Sequence, residues 1–549
     1  MPKALSRRQM LRLTGQAVAA AALGAGCSLP AAHKPAAPEQ RGFVVGDPVG
    51  AQVGERVLAD GGNAIDAAIA AALAVCITAP SRCGIGGYGG HMIIALAGGR
   101  KITALDFNST APAAARADMY SFDAKGEVTG RANFRGWLAV GVPGTMAGFQ
   151  LALDRYGTRS FRELVQPAIA FAREGFTISA GQAGAIRATM AGLRQDPGSA
   201  KLYFNHGEPL KAGETARNPD LAELLTRLAE KNSVEPFYRG DLAQRIADGI
   251  QKNGGLVTAR DLAAYQAREV APFRLRWNEF DIFTAPLTAG GLTVLEALSI
   301  LKALRWKQSP SGPAGAHARL EVLRVAWKDR LELLGDPEKV EVPVGRLLST
   351  NYARSAAERI AAAVKAREPL PLQIEKHLQD GTTNLSSVDR HGNLVAVTFT
   401  HGGGFGAQVT VDGLGLTLGH GMSRFNARPG HPNSVAAHKR PLHNMCPSAV
   451  FRDGRPILAV GAAGGVKIPN TIFDILTEFV VRGSSIEAAI AAPRMHCTGT
   501  LDVAMERAWP AVEQEYLKQI GFNVQTGIGA TAGAVSFAPK TGECRAAAR

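Results

Sequence analysis

The rhythm of apolar and polar positions changes along this chain. From about Ser160 to Arg359 apolar residues recur at helical spacing, as in Leu221–Lys231 and Ala316–Leu334. After Thr382 the texture turns to short strands and glycine. Asn384 to Asp389 reads as one strand, and Leu394 to Thr400 as a second, rich in β-branched types. Between them, Asp389-Arg390-His391-Gly392-Asn393 supplies the glycine and small polar residues of a hairpin turn. A turn centred on His391-Gly392 brings Thr400 within about one residue of Thr382, at cross-strand distances of ~4.5–5.5 Å.

That pairing sets two hydroxyls side by side at a strand start, one of them preceded by Gly381. A threonine hydroxyl is a weak nucleophile unless a base takes its proton, and a free α-amine on the same residue can be that base. The reference pKa of an α-amine is about 7.7–8.0, so a useful fraction is neutral near pH 7. Such an amine exists only after the Gly381–Thr382 bond is cut, and glycine offers no side chain to hinder that attack. Read alone, Asp380-Gly381-Thr382-Thr383 is equally a polar turn before an ordinary strand. The chain has 549 residues and 46% hydrophobic content, enough to bury a large core. It shows no long linker, internal repeat or low-complexity tract that would divide it.

The surroundings of Thr382 decide between the two readings. Thr382-Thr383-Asn384-Leu385-Ser386-Ser387-Val388-Asp389, then Gly392-Asn393 and Val397-Thr398-Phe399-Thr400, resembles the start of the small subunit in the γ-glutamyltransferase family. Further matches follow in family order: Gly61-Gly62-Asn63-Ala64-Ile65-Asp66-Ala67-Ala68, an early buried helix there; Gly84-Ile85-Gly86-Gly87; Leu105-Asp106-Phe107; Gly141-Val142-Pro143-Gly144-Thr145; Met422-Ser423-Arg424-Phe425; Lys439-Arg440-Pro441-Leu442; and Gly461-Ala462-Ala463-Gly464-Gly465. The resemblance implies an α+β fold, a four-layer αββα sandwich of the N-terminal-nucleophile hydrolase type. Two autoprocessed chains of one precursor, 33–381 and 382–549, would associate to build it. It further implies that Thr382 is the nucleophile, that Thr400 hydrogen-bonds and positions it, and that the N–H groups of Gly464 and Gly465 hold the tetrahedral oxyanion. No cofactor is implied.

The implied substrate pocket departs from the family pattern. The family binds a glutamyl α-carboxylate with an arginine directly after the Asp-Phe pair, where this chain has Asn108. Its partners for the α-ammonium fall at Gly421 and Arg424, its asparagine after the second threonine at Gly402, and its paired serines at His443 and Asn444. A cation at Arg424 repels an ammonium. Few residues separate Asn433 from Lys439, where many relatives carry a longer lid. His401, His420 and His443 fall near this pocket, but without carboxylates at metal-ligand spacing they read as pocket lining rather than a metal site.

Residues 1–32 read as a targeting segment. Ser6-Arg7-Arg8-Gln9-Met10-Leu11-Arg12 resembles a twin-arginine export signal, and the apolar run Ala17 to Ala25 is too short to span a bilayer. This predicts a periplasmic protein, either released near Ala31-Ala32 or lipid-anchored at Cys27. The formal charge of +14 includes Lys3, Arg7, Arg8 and Arg12. The remaining excess is dispersed and lacks aromatic interleaving, which argues against nucleic acid as a partner. Cys76 and Cys83 could pair in an oxidising compartment, and the other cysteines read as buried thiols. Three functions fit: a self-cleaving amidohydrolase or acyltransferase acting on γ-glutamyl or related small amides, an acylase for a des-amino acidic acyl group of the glutaryl or oxamate kind, and an inactive binding homologue.

Overall fold

The computed structural model describes residues 42–98, 101–305, 312–374, 381–527 and 529–549. The predicted export segment, 1–32 with Cys27, lies outside the described residues. The described residues belong to one compact unit, Pro38–Arg549. Its two large sheets use strands β1 (Phe43–Val45), β2 (Gly89–Leu96), β3 (Lys101–Asp106), β4 (Arg268–Val270), β5 (Phe273–Trp277), β6 (Phe280–Thr284), β7 (Thr383–Val388), β8 (Leu394–Thr400), β9 (Ser448–Arg452), β10 (Arg455–Ala463), β11 (Thr531–Ala538) and β12 (Glu543–Ala548). The first sheet runs β1-β7-β8-β2-β3-β4 and the second β12-β11-β10-β9-β6-β5. All of these pairings are antiparallel.

Side-chain parity shows how the layers stack. Successive residues of a strand point to opposite faces. On β8, Val395, Val397 and Phe399 join the core beneath the helices, while Leu394 and Ala396 join a core shared with Ala449, Phe451, Ala459 and Val535 of the other sheet. The outer face of the first sheet is covered by α1 (Pro48–Ala59) and α2 (Ala64–Thr78). Every residue of α2 is buried, and its run of alanines lets the helix approach its neighbours closely. A capping box between Asn63 and Asp66 starts it. The predicted helix around Leu221 spans α3 (Pro219–Lys231). The second sheet packs on α4 (Gly291–Ala303), α5 (Pro313–Leu333), α6 (Thr350–Ala366) and α7 (Ile468–Leu476). This is the αββα sandwich.

Two details differ from expectation. The first hairpin strand starts and ends one residue early, because Asp389 belongs to the turn. Its Oδ1 accepts from His391 N (2.9 Å) and Asn393 N (3.1 Å), and its Oδ2 accepts from Ala64 N (3.1 Å) at the start of α2. One carboxylate thereby fixes the turn and the neighbouring helix start together. The Cys76–Cys83 pairing is not formed. Both are buried thiols, and the Cys83 thiol donates to Val75 O at 3.6 Å.

Candidate active site

The hairpin register pairs Thr383 with Phe399, so Thr382 stands opposite Thr400 at the mouth of the sheet. Parity fixes their direction. Ser387 bonds Ala64 O on the helix side, whereas Ser386 bonds Gly533 O in the second sheet. Even-numbered residues of β7 therefore face the space between the sheets, and Thr382 continues that row. On β8 the same row carries Thr398, whose Oγ1 donates to Asn384 Oδ1 at 3.0 Å, and then Thr400. Both candidate threonines are buried, Thr382 at 6% exposure.

The two hydroxyls converge on one carbonyl. Thr382 Oγ1 donates to the oxygen of its own preceding residue, Gly381. Thr400 Oγ1 lies 3.3 Å from the same oxygen, 3.1 Å from Arg82 O, and 2.7 Å from Gly402 N, whose N–H it accepts. In the uncut chain Thr400 thus meets the scissile carbonyl rather than the nucleophile's hydroxyl, the partner expected from sequence. Gly381 has φ +85, and a Cβ there would collide with Gly402 O. No other residue fits this position without displacing the Gly402 loop.

Gly402 belongs to the glycine run that replaces a family asparagine. The loop is held from below: Gly403 N donates to His420 Nε2, and His420 Nδ1 meets Ser423 Oγ. Burial and the neighbouring Arg424 push the His420 pKa well below its ordinary value, and burial pushes His401 down to about 3. Both are neutral imidazoles serving as packing and loop support. Among the described residues, no three His, Cys, Asp or Glu side chains converge as metal ligands.

Gly464 and Gly465 follow β10, whose Gly461 packs directly against Asn384 of β7. Their φ values are +143 and +61, and a Cβ on Gly464 would crowd Ala530. They lead through a 3₁₀ turn, Gly465–Lys467, into α7. Helix entry is where backbone N–H groups lack intrahelical acceptors and face an incoming anion.

A cavity of ≈ 200 Å³ opens next to this turn, lined by Val466, Ser423, Arg424, Asn444, Trp327 and Arg330 among others. Of the pocket residues expected from sequence, Arg424 and Asn444 line it. Arg424 is 3% exposed, and its guanidinium lies 5.7 Å from the Tyr88 ring centre. The others sit outside the lining. Asn108 is fully buried, its Nδ2 donating 2.7 Å to both Thr288 Oγ1 and Pro441 O. A Cβ on Gly421 would strike Ser109 Oγ. His443 turns its ring against His91, with centroids 4.7 Å apart, and burial pushes its pKa well below the ordinary value. Sequence reasoning missed Arg330 and Trp327. Both lie on α5, a helix whose apolar spacing gives no hint that its arginines point inward.

The Gamma-glutamyltranspeptidase family model matches residues 50–548. The chain is 36% identical over 510 residues to the glutathione hydrolase proenzyme of Escherichia coli (strain K12), covering 87% of each chain. It is 32% identical over 484 residues to the acylase ACY 1 proenzyme of Pseudomonas sp. (strain V22), covering 87% of this chain and 86% of that one. Its fold superposes on the cephalosporin acylase from Bacillus halodurans with a TM-score of 0.82 at 26% identity, covering 96% of this chain and 97% of that structure.

Proposed function

The chain belongs to the γ-glutamyltranspeptidase family, a hydrolase of the N-terminal-nucleophile type, and from that premise we propose that Thr382 first frees its own amine and then carries an acyl group. In the first stage Thr382 Oγ attacks the Gly381 carbonyl carbon, the C–N bond breaks, and an ester joins Gly381 to the Thr382 oxygen. Water then cleaves that ester, leaving a Gly381 carboxylate and a Thr382 with free amine and hydroxyl. In the second stage the amine takes the hydroxyl proton as Oγ attacks a substrate amide, and the proton passes to the departing amine. Water or a second amine releases the acyl group. Gly464 and Gly465 are the candidate donors to the tetrahedral oxyanion.

One observation carries this reading: the Thr382 and Thr400 hydroxyls both lie on the Gly381 carbonyl. A donor on that oxygen stabilises the charge that grows there during self-cleavage, and the glycine at 381 leaves no side chain in the way of the attack. The proenzyme names of relatives such as the Escherichia coli glutathione hydrolase are consistent with a precursor that is cut into two associating chains. The acyl donor is a γ-glutamyl compound or a related small amide. We also propose export by the twin-arginine segment around Arg7 and Arg8 to the periplasm, with Cys27 as the point of any lipid anchor.

Purified protein should separate under denaturing conditions into two chains, the smaller with Thr382 as its first residue by mass and N-terminal sequencing. Thr382→Ala should remain a single chain. An active chain that is never cut would overturn the mechanism, because its Thr382 would have no free amine.

A further inference from the structure

Resting on that reading of Thr382, we propose that His420 is a positioning residue for self-cleavage. Its imidazole holds the Gly402 loop against the Gly381–Thr382 bond, and the glycine at 402 is what admits the ring. Crowding at residue 402 is the first observation. Gly402 has φ +106, and a Cβ on it would strike the His420 ring. A Cβ on Gly403 would come within 3.2 Å of His420 Nε2. Where the family places an asparagine, this chain has a glycine and fills the space with an imidazole from another segment.

The bonds around the ring fix its tautomer. The Gly403 N–H donates to His420 Nε2, so Nε2 carries no proton and Nδ1 carries the one the neutral ring has. Nδ1–H donates to Ser423 Oγ, whose own proton goes to His420 O at 2.8 Å. This set of donors and acceptors closes for one tautomer alone. An imidazolium would turn an N–H toward the Gly403 N–H and lose the bond. Burial disfavours that form, and the groups facing the ring, Arg424, His401 and Arg131, disfavour it further. Phe134 packs on the ring with centroids 5.2 Å apart.

From the ring, support reaches the scissile bond through the loop. The Gly402 N–H donates to Thr400 Oγ1 at 2.7 Å, which turns the Thr400 proton toward the carbonyl oxygens around it, Gly381 O at 3.3 Å among them. Gly402 O stands over Gly381, where it would meet any Cβ. Gly403 O accepts Gly406 N at 2.7 Å, closing a tight turn. Three successive glycines have little conformational preference of their own and need a tie from outside the run. His420 supplies that tie at the middle glycine. A displacement of about 1 Å near a reacting centre costs on the order of 10²-fold in rate, so losing the tie should be felt in the cleavage step.

Precursor loss followed on denaturing gels, well below the unfolding midpoint of each variant, tests this. His420→Leu keeps the bulk and removes the acceptor; it should be cut at least about tenfold more slowly than the unmodified chain. His420→Gln offers a side-chain oxygen to the Gly403 N–H and should recover to within about threefold of the unmodified rate. Cutting of His420→Leu at the unmodified rate overturns the proposal. So does His420→Gln cut as slowly as His420→Leu, which would leave the ring as packing alone. If His420→Leu fails to fold, Ser423→Ala decides, because it keeps the ring and removes its partner at Nδ1. That variant should be cut at least about threefold more slowly, and an unchanged rate overturns the proposal. Thr382 is judged separately on the same gels: an unmodified chain that is never cut, or a Thr382→Ala chain that is cut, fails the nucleophile reading rather than the role of His420.

Discussion

Replacing Thr400 by valine removes one hydroxyl and leaves a side chain of nearly the same shape. In the structure that hydroxyl's one proton lies among Arg82 O at 3.1 Å and the Gly381 and Gly402 oxygens at 3.3 Å, and two of its contacts bear on cleavage and stability. It lies 3.3 Å from Gly381 O, and it accepts Gly402 N at 2.7 Å. The first role concerns the barrier to self-cleavage. Loss of one donor from a developing oxyanion costs about 2.7–4 kcal/mol, so cleavage should slow by about 10²–10³-fold. The second concerns stability. A buried N–H left without an acceptor costs about 1–3 kcal/mol, which should lower the unfolding midpoint without changing the cleavage barrier. A time course of precursor loss on denaturing gels, run beside thermal unfolding, separates them. Thr400→Ser keeps the oxygen and should recover most of the rate. Cleavage of Thr400→Val at the unmodified rate, with only a lower melting temperature, would refute the oxyanion role and leave Thr400 as a support for the Gly402 loop.

Three further outcomes follow from the structure. His401, with its pKa near 3, and His420 and His443, both held well below the ordinary value, are neutral in the folded protein at neutral pH and bind protons on unfolding once pH falls below about 6.5. Each should therefore remove up to about 1.4 kcal/mol of stability per pH unit below that point, and an unfolding midpoint flat from pH 7 to 5 would contradict the burial argument. Glu296 shifts the other way: burial and the nearby Asp329 raise its pKa well above the ordinary value, so its contribution is complete below the unfolded carboxyl pKa and is lost as pH rises toward the folded one. Glu296→Gln should flatten that alkaline decline, and an unchanged slope would reassign it. Replacing Arg7 and Arg8 by lysine should leave unprocessed precursor in the cytoplasm, because the paired guanidinium groups are what the export pathway reads; normal periplasmic appearance would end that proposal.

The hairpin was legible because its signals are local. β-branched runs, a glycine turn and the period of two fix both the register and the face on which Thr382 and Thr400 sit. The all-buried α2 was legible from its motif rather than its periodicity, since a helix of alanines and isoleucines has no polar side to read. The helical spacing over Ala316–Leu334 also announces α5 (Pro313–Leu333), and what stayed hidden was that its charged residues point inward. Its spacing gives Arg319, Glu321, Arg324 and Arg330 no visible inward stripe, yet all four are buried. The helix is enclosed by α4, α6 and the C-terminal region, and two of its arginines are paired with acids in place. Arg324 meets Glu321 at 2.7 Å, and Arg319 meets Asp474 at 2.6 Å. Charged residues normally mark a solvated face, and here tertiary enclosure overrides that rule.

That contrast bears on the pocket. Arg319 and Arg324 each have a carboxylate, so their burial is explained by the fold alone. Arg330, on the same helix and as deeply buried, has backbone and amide oxygens instead. A single sequence gives the three arginines equal standing, and only the placement of acids around them tells which one the fold neutralises. If burial of Arg330 without an acid costs stability, supplying the missing acid in place should recover some of it. Leu331, which also lines the cavity, is a position to supply it from. Leu331→Glu would put a carboxylate within reach of Arg330 and should raise the thermal unfolding midpoint while leaving self-cleavage at Thr382 intact. An unchanged or lower midpoint would mean that the His443 and Asn444 oxygens already satisfy Arg330.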